Sequence, residues 1–282
     1  MTGPGKRRVR GNQPLPVAGD VAFPDLDARL PDFTPDPGTA PLPRMLLAQA
    51  AIELRLALRH GEQILLTLII PVLLTLLLVL GSLVATDGSS RADYFLPGIL
   101  ALAVVSSAFT GLAIATGFER KYGVLKRLGA TAMPRSVLLG GKTLAVLGIE
   151  ALQLAVLSVL GLALGWQPRG TVVGAAVIVL LGTAAFAGLG LLLAGTLRAE
   201  ATLAAANLVW FLLLLGGGLL LPLSRLSDSA AAVLQFLPSA ALADGLRAVF
   251  QDGSALPAQP AFILLAWSVL AFAAAVRWFR WE

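Results

Sequence analysis

Long apolar stretches recur along most of the chain, and short polar connections separate them. A helix needs about 20 apolar residues to cross a hydrocarbon core of about 30 Å. Six stretches reach or approach that length, namely residues 64–85, 95–117, 136–165, 171–196, 202–222 and 260–276. The pattern predicts an all-α polytopic membrane protein with six transmembrane helices, in a domain that extends over residues 63–282.

Two different segments precede these stretches. Residues 1–43 contain nine of the seventeen prolines and five glycines, a composition that does not form a packed core and predicts a disordered tail. Residues 44–62 have a helical period and predict an amphipathic helix on the membrane surface; the alternative is a partly buried cytosolic helix. The apolar stripe of this helix holds Leu46, Leu47, Ala50, Leu54, Ala57 and Leu58, and the opposite half holds Arg44, Gln49, Glu53, Arg55, Arg59 and His60.

The connection between the fifth and sixth stretches is also helical in character. Residues 222–259 are too many for a turn and too apolar for a solvated loop. Residues 230–237 and 240–250 predict two short helices that are broken at Pro238. Backbone polar groups at membrane depth have to be covered by protein or line a cavity, so this segment predicts a packed re-entrant element on the outer side.

Composition narrows the class of protein. The 282 residues are 57% hydrophobic and 13% charged, with a mean hydropathy of +0.84, whereas a soluble globular chain has about 25% charged residues. With no cysteine and the single histidine His60, we predict neither a disulfide framework nor a metal site. The basic residues behind the net charge of +5 lie beside apolar runs, so we interpret them as signals that orient the chain in a lipid bilayer. We predict no nucleic-acid partner.

The distribution of basic residues predicts the orientation. Seventeen Lys and Arg residues fall on the side that holds both ends of the chain, and four fall on the other side. Cytoplasmic connections carry the excess of Lys and Arg in membrane proteins. We therefore predict a multi-pass protein with both termini in the cytoplasm.

Candidate catalytic chemistry is scarce. Residues 136–143, SVLLGGKT, end like a phosphate-binding loop, but the motif requires glycine in place of Ser136 and has to join a strand to a helix. Here the segment opens an apolar helix, so Lys142 is expected to extend to the cytoplasmic interface. Because paired carboxylates and nucleophile motifs are also missing, we predict no catalytic residues in this chain.

A basic segment between the second and third stretches carries the most information. An apolar face of Val124, Leu125 and Leu128 lies among Lys121, Lys126 and Arg127, and Gly129 and Pro134 bound the segment. A short amphipathic helix tied at both ends to membrane helices can dock on a soluble partner and pass its motion into the bilayer. The alternative is an ordinary connection whose charges only set the topology.

Several segments together resemble a known family. They are the surface helix, Glu119-Arg120 with residues 122–128 (YGVLKRL), residues 130–135 (ATAMPR) leading to Gly141-Lys142, and residues 236–238 (FLP) followed by residues 242–247. These features are similar to the ABC-2 type permeases of ABC transporters, particularly actinobacterial permeases of the daunorubicin efflux type. Many members of that family have glutamate in place of Lys121 and proline in place of Ala132.

The resemblance implies how the chain works. It implies a half-transporter in the plasma membrane of a bacterium, in which two permease chains pair as a homodimer or heterodimer. Each would receive one copy of an ABC ATP-binding subunit, which binds ATP and Mg, while this chain binds no cofactor. The surface helix would be the connecting helix. The coupling helix would comprise Glu119, Arg120, Lys121, Tyr122, Gly123, Val124, Leu125, Lys126, Arg127 and Leu128.

Few polar groups lie within the predicted spans, and these are candidates for a pathway or gate. Glu150 and Gln153 share a helical face, and an intramembrane carboxylate faces protein or water. The alternatives for Glu150 are a structural hydrogen bond or burial in its neutral form. Asn207 either lines the pathway or joins two helices. Three consecutive glycines, Gly216, Gly217 and Gly218, either loosen the outer end of the fifth span or simply end it.

These features predict a permease that exports a hydrophobic or amphipathic compound, drug-like or lipid, with ATP as the energy source. A same-family alternative is export of a glycolipid or polysaccharide precursor. An alternative from another class is a secondary transporter driven by protons through Glu150, for which the inverted repeat typical of many such transporters is not visible in the sequence. A membrane enzyme or assembly factor is a third alternative, disfavoured by the missing catalytic groups.

Overall fold

The fold is all-helical throughout the part of the chain that the structure describes. This computed structural model describes residues 40–59, 61–81, 90–131, 133–220 and 228–280. The helices there are α1 (Leu42–Arg59), α2 (Gly61–Leu80), α3 (Arg91–Val104), a π-helical segment (Val105–Gly111), α4 (Leu112–Lys121), α5 (Val124–Gly129), α6 (Arg135–Ala163), α7 (Val172–Thr196), α8 (Ala199–Gly216), α9 (Asp228–Leu234), α10 (Pro238–Phe250) and α11 (Ala258–Trp278). The prediction of an all-α polytopic membrane protein is confirmed.

Five helices in the described ranges are long and apolar enough to cross a membrane. One is continuous from Arg91 to Lys121, through α3, the π-helical segment and α4, and the others are α6, α7, α8 and α11. They overlap the second to sixth predicted spans, although the fifth predicted span extends to residue 222 and α8 ends at Gly216. The first predicted span, 64–85, corresponds to α2, whose apolar part Thr67–Leu80 is shorter, and its residues 82–85 lie outside the described ranges. The number of six spans stays a prediction.

The middle of the bundle is the helix that begins with α3. Every residue from Phe95 to Val105 is buried, and α3 contacts α2, α6, α7 and α10. Helix α11 packs closely along the length of α7. Gly188 of α7 faces Ala271 of α11, and the Ser268 hydroxyl of α11 donates a hydrogen bond of 2.9 Å to the Leu181 carbonyl. Small residues therefore let these two helices approach closely.

Helix α1 packs along α6 with a face that only partly follows the predicted apolar stripe, since Leu46 and Leu54 of that stripe meet glycines of α6. Residues 1–39 of the predicted tail lie outside the described residues. Helix α1 begins at Leu42, two residues before the predicted start at residue 44. Gln49, assigned to the polar half, is buried, whereas Leu47 of the apolar stripe is 64% exposed. The reason is that α6 presents Gly140 and Gly141 to this face of α1, and their missing side chains leave room for Leu46 and Gln49.

The connection between the second and third predicted spans contains a sharp turn. Helix α4 ends at Lys121, and Gly123 adopts the left-handed conformation with φ of 73°, which favours glycine because it has no Cβ. The six-residue helix α5 follows, and the side chain of Leu125 is completely buried in the core. The segment predicted as one amphipathic helix from residue 119 to 128 is thus divided at Tyr122 and Gly123.

The segment between α8 and α11 contains the two predicted short helices, α9 and α10. Pro238 is the first residue of α10, as a proline at a helix start allows. Helix α10 is mostly buried and contacts α3, α7 and α11. The Arg247 guanidinium donates 2.9 Å hydrogen bonds to the Leu219 carbonyl and to Asp244 Oδ1. Protein therefore covers α10, as the sequence predicted for this segment, and its re-entrant position in a bilayer stays a prediction.

We expect Gly98→Ala to destabilise the fold, because an added Cβ would lie 2.0 Å from the Leu219 carbonyl oxygen. Backbone cannot move aside as a flexible side chain can, so the cost should reach the upper end of the about 1–3 kcal/mol that overpacking causes. The control is Gly216→Ala, because a Cβ at this helical glycine meets nothing within 4 Å. Thermal unfolding in detergent compares the two, and equal stability would contradict this packing.

Candidate functional site

A buried ion-pair cluster joins three helices. The Lys142 side chain on α6 is only 2% exposed, although it lies in an apolar helix. Its Nζ is 2.7 Å from Glu53 Oε1 of α1 and 2.6 Å from Glu119 Oε2 of α4. The Gln49 Nε2 donates a further hydrogen bond of 2.8 Å to Glu53 Oε1. We call Glu53, Glu119 and Lys142 the Lys142 cluster.

The cluster corrects the prediction for Lys142, which does not extend to an aqueous interface. Its ammonium group instead forms ion pairs with a carboxylate of α1 and a carboxylate of α4, which take the place of water as partners. Removing charges from water is costly and is offset only when the partners are close and well oriented. The position of Gln49 over Gly141 holds α1 close enough for Glu53 to reach.

The charge that remains accessible at the cluster is negative. Two carboxylates share one ammonium, which leaves a net charge of −1 when both are ionised. The Glu53 and Glu119 side chains are 18% and 28% exposed, whereas Lys142 is almost completely enclosed. A molecule that approaches the cluster therefore meets carboxylate oxygens before it meets the ammonium.

A cavity of about 410 Å³ adjoins the cluster and extends along α4 and α6. Glu53, Glu119 and Lys142 line it at one end, and Ser106 and Ser107 of the π-helical segment line it at the other. Ser106 and Glu119 are 13 residues apart on one continuous helix, which corresponds to roughly 20 Å. The walls between the two ends are mostly apolar, with Leu56, Leu112, Phe118, Val146 and Ile149 among them.

The end of the cavity at Ser106 and Ser107, which we call its inner end, is bounded by hydrogen-bonded side chains. The Ser107 hydroxyl donates to Gln153 Oε1 at 2.9 Å, and Gln153 Nε2 donates to the Thr67 carbonyl at 2.9 Å. The Trp210 indole N–H donates to the Ser106 hydroxyl at 2.8 Å, and that hydroxyl donates to the Leu102 carbonyl. The network joins α2, α6 and α8 to the π-helical segment, a type of helix distortion frequent at functional sites.

Glu150 and Gln153 lie on successive turns of α6 but face different neighbours. Glu150 is 1% exposed, and the Thr183 hydroxyl of α7 donates a 2.5 Å hydrogen bond to its Oε2. Its Oε1 has no hydrogen-bond partner among the described residues. Glu150 therefore contacts α7, while Gln153 supports the cavity. Their roles in a pathway stay predictions.

The other predicted pathway residues lie elsewhere. Asn207 is exposed and donates a hydrogen bond of 2.9 Å to the Leu203 carbonyl of its own helix. Helix α8 ends at Gly216, Gly217 is buried against Ser239, and Gly218 has φ of 75°. The structure therefore does not bring these residues together with Glu150 and Gln153, and a gating role for the glycines stays a prediction.

The ten residues predicted as a coupling helix separate into three groups. Glu119 belongs to the Lys142 cluster, while Arg120 donates to the Leu197 carbonyl and Lys121 pairs with Glu200. Leu125 is core, Leu128 packs partly against the core, and Gly123 forms the turn. Besides Lys121, the exposed side chains are Tyr122, Val124, Lys126 and Arg127. We call Tyr122, Val124 and Arg127 the α5 surface.

Sequence reasoning missed the Lys142 cluster, although one signal was present. Lys142 lies seven residues after the start of α6, and a cation inside an apolar helix needs an acidic partner. Glu119 lies near the end of α4, and Glu53 lies on the predicted surface helix, so each looked like an ordinary interfacial residue. For metal binding, the described residues contain no group of three or more His, Cys, Asp or Glu with suitable geometry.

The described residues thus form an all-helical membrane domain, with a packed amphipathic helix before its apolar helices and a short basic helix between two of them. A family model described as ABC-2 type transporter matches residues 46–250, and the chain belongs to this family. Comparison with curated proteins gave no match. The chain is therefore a multi-pass permease subunit of an ABC-type transporter, a kind of subunit that works with an ABC ATP-binding subunit.

We expect Lys142→Met to destabilise the protein by about 3–5 kcal/mol, because it leaves two partly buried carboxylates without their shared cation. Adding Glu53→Gln and Glu119→Gln should recover much of that loss by removing the uncompensated charges. The control is Glu200→Gln, because the Lys121–Glu200 pair is largely exposed and should contribute little. Thermal unfolding in detergent measures all variants, and a Lys142→Met protein as stable as the control would refute the cluster.

Proposed function

We propose that this permease exports a hydrophobic or amphipathic compound, drug-like or lipid, with the energy of ATP hydrolysis in its partner subunit. The observation that supports this most directly is the position of the α5 surface beside the Lys142 cluster. Tyr122 is 70% and Val124 is 42% exposed, although both are large side chains with apolar surface. Exposed aromatic and aliphatic side chains on a short connection between membrane helices are typical of a surface on which another protein docks.

The connections of α5 suggest how docking would move the helices. Leu125 anchors α5 in the core, and Glu119 at the end of α4 bonds to Lys142. A force on the α5 surface would therefore reach α4 directly, and α1 and α6 through the Lys142 cluster. Because packed helices shift as rigid elements between discrete arrangements, such a force would switch the accessibility of the bundle.

The proposed assembly has two permease chains and two ATP-binding subunits. Asn207 supports the pairing, because it is exposed on α8 beside Phe211, which is 51% exposed, and an amide facing lipid is unfavourable. A second permease chain would cover this face. ATP and Mg would be bound by the partner subunits alone, and the α5 surface and both termini would face the cytoplasm of a bacterium, with the chain in its plasma membrane.

The coupling proposal predicts that Tyr122→Ala with Val124→Asp uncouples the transporter. Removing an aromatic anchor and placing a charge in the interface should weaken ATPase binding at least tenfold, the effect of about 1.4 kcal/mol. Co-purification with the cognate ATP-binding subunit measures binding, and ATP-dependent export from inverted vesicles measures coupling.

The matched control for this variant is Val172→Asp. Val172 is 82% exposed at the start of α7, at the opposite end of α6 from α5. Its replacement should leave both ATPase binding and export unchanged. The double variant is expected to melt like the wild type because both side chains are exposed, and full export by a normally folded double variant would contradict the coupling proposal.

The role of Glu150 separates this proposal from proton-driven transport. Glu150→Gln keeps an oxygen acceptor for the Thr183 hydroxyl, so folding should be preserved. We expect this variant to export its cargo in an ATP-dependent manner, and wild-type export to continue after the proton gradient is dissipated. Export that stops with the gradient and is lost in Glu150→Gln would instead identify Glu150 as a proton carrier.

A further inference from the structure

The cavity beside the Lys142 cluster has the size of a small-molecule site. Its volume of about 410 Å³ lies within the range of about 300–1,000 Å³ that ligand pockets show. It lies between α1, α4 and α6, and neither Glu150 nor the glycines at the end of α8 line it. The cavity is therefore separate from the predicted pathway residues other than Gln153, which lies behind its inner end.

Charge in the cavity favours a cation. The Glu53 and Glu119 carboxylates line it and are partly exposed, while the ammonium between them is enclosed. Two basic side chains near this end are engaged elsewhere, because Lys121 pairs with Glu200 and Arg120 donates to the Leu197 carbonyl. An anionic ligand would meet carboxylates in a low-dielectric setting, where repulsion between like charges is strong.

Aromatic and aliphatic side chains complete the site. The rings of Phe118 and Tyr122, which stack with centroids 6.2 Å apart, both line the cavity beside Glu119. Aromatic faces attract organic cations. Leu56 and Ile149 provide apolar walls for the remainder of a ligand. The site thus combines a negative end with an apolar body.

We propose that this cavity binds a monovalent organic cation with an apolar body, its charged centre beside Glu53 and Glu119 and its apolar part along α4 and α6. The inference rests on the proposed function, since it names the chemical class of cargo that the permease would receive from the cytoplasm or the inner leaflet. It also makes the Lys142 cluster part of a ligand site as well as a link between helices.

The test uses two probes of the same shape and opposite charge. Radiolabelled tetraphenylphosphonium and tetraphenylborate are equilibrated by dialysis with the purified chain in neutral detergent, without nucleotide or partner subunit. We expect saturable binding of one tetraphenylphosphonium per chain and no saturable binding of tetraphenylborate. Absence of saturable phosphonium binding, or equal binding of both probes, would overturn the proposal.

Three variants locate the site. Glu119→Gln should weaken phosphonium binding about tenfold, and Ala115→Phe, which fills the cavity from its wall without changing a charge, should abolish it. Asp252→Asn changes the net charge by the same amount as Glu119→Gln at an exposed position between α10 and α11, and it should bind like the wild type. Unchanged binding by a folded Ala115→Phe protein would refute the cavity as the site, and thermal unfolding reports whether each variant is folded.

Failure of this proposal is distinguishable from failure of the proposed function. If the transporter exports a cargo with ATP but the chain binds no phosphonium, only the cavity assignment is wrong. If phosphonium binds and Ala115→Phe abolishes the binding, yet ATP drives no export, the cavity assignment stands and the exporter assignment is wrong.

Discussion

The need to compensate a charge in an apolar bundle determines how the helices of this permease are arranged around Lys142. One ammonium on α6 is satisfied only when α1 and α4 both bring a carboxylate to within hydrogen-bond distance. Burying these charges costs desolvation energy that their mutual attraction only offsets, whereas removing one partner leaves an uncompensated charge, so the cluster disfavours other arrangements of the helices more than it adds to net stability. The amphipathic helix α1 is thereby fixed to the transmembrane helices at a defined position along α6.

Much of the architecture is readable from hydropathy, because apolar length alone decides which segments can cross a bilayer. The stretches 95–117 and 171–196 correspond closely to helices in the structure, and the break at Pro238 marks the start of α10. Sequence also indicated the family, which the match over residues 46–250 confirms. These features depend on local composition, which a single sequence records directly.

The site was less predictable, because its members are distant in sequence. Lys142 lies 89 residues from Glu53 and 23 residues from Glu119, and nothing in their local surroundings links them. Gln49 and Leu47 show the same limit: periodicity separated polar from apolar positions of α1, but the glycines of α6 decide which positions are buried. The coupling segment also differs from expectation, because one glycine conformation, at Gly123, divides it.

The π-helical segment Val105–Gly111 has a geometric consequence for α4. A π turn contains about one residue more than an α turn. This seven-residue stretch therefore determines in which direction around the helix axis the side chains of α4 point. Converting it to α-helical spacing would rotate α4 about its own axis by roughly 100° and carry Glu119 away from Lys142. Ser106 and Ser107 belong to this stretch, which lies roughly 20 Å from Glu119 along the helix. Its winding therefore determines which side chain of α4 faces the buried ammonium.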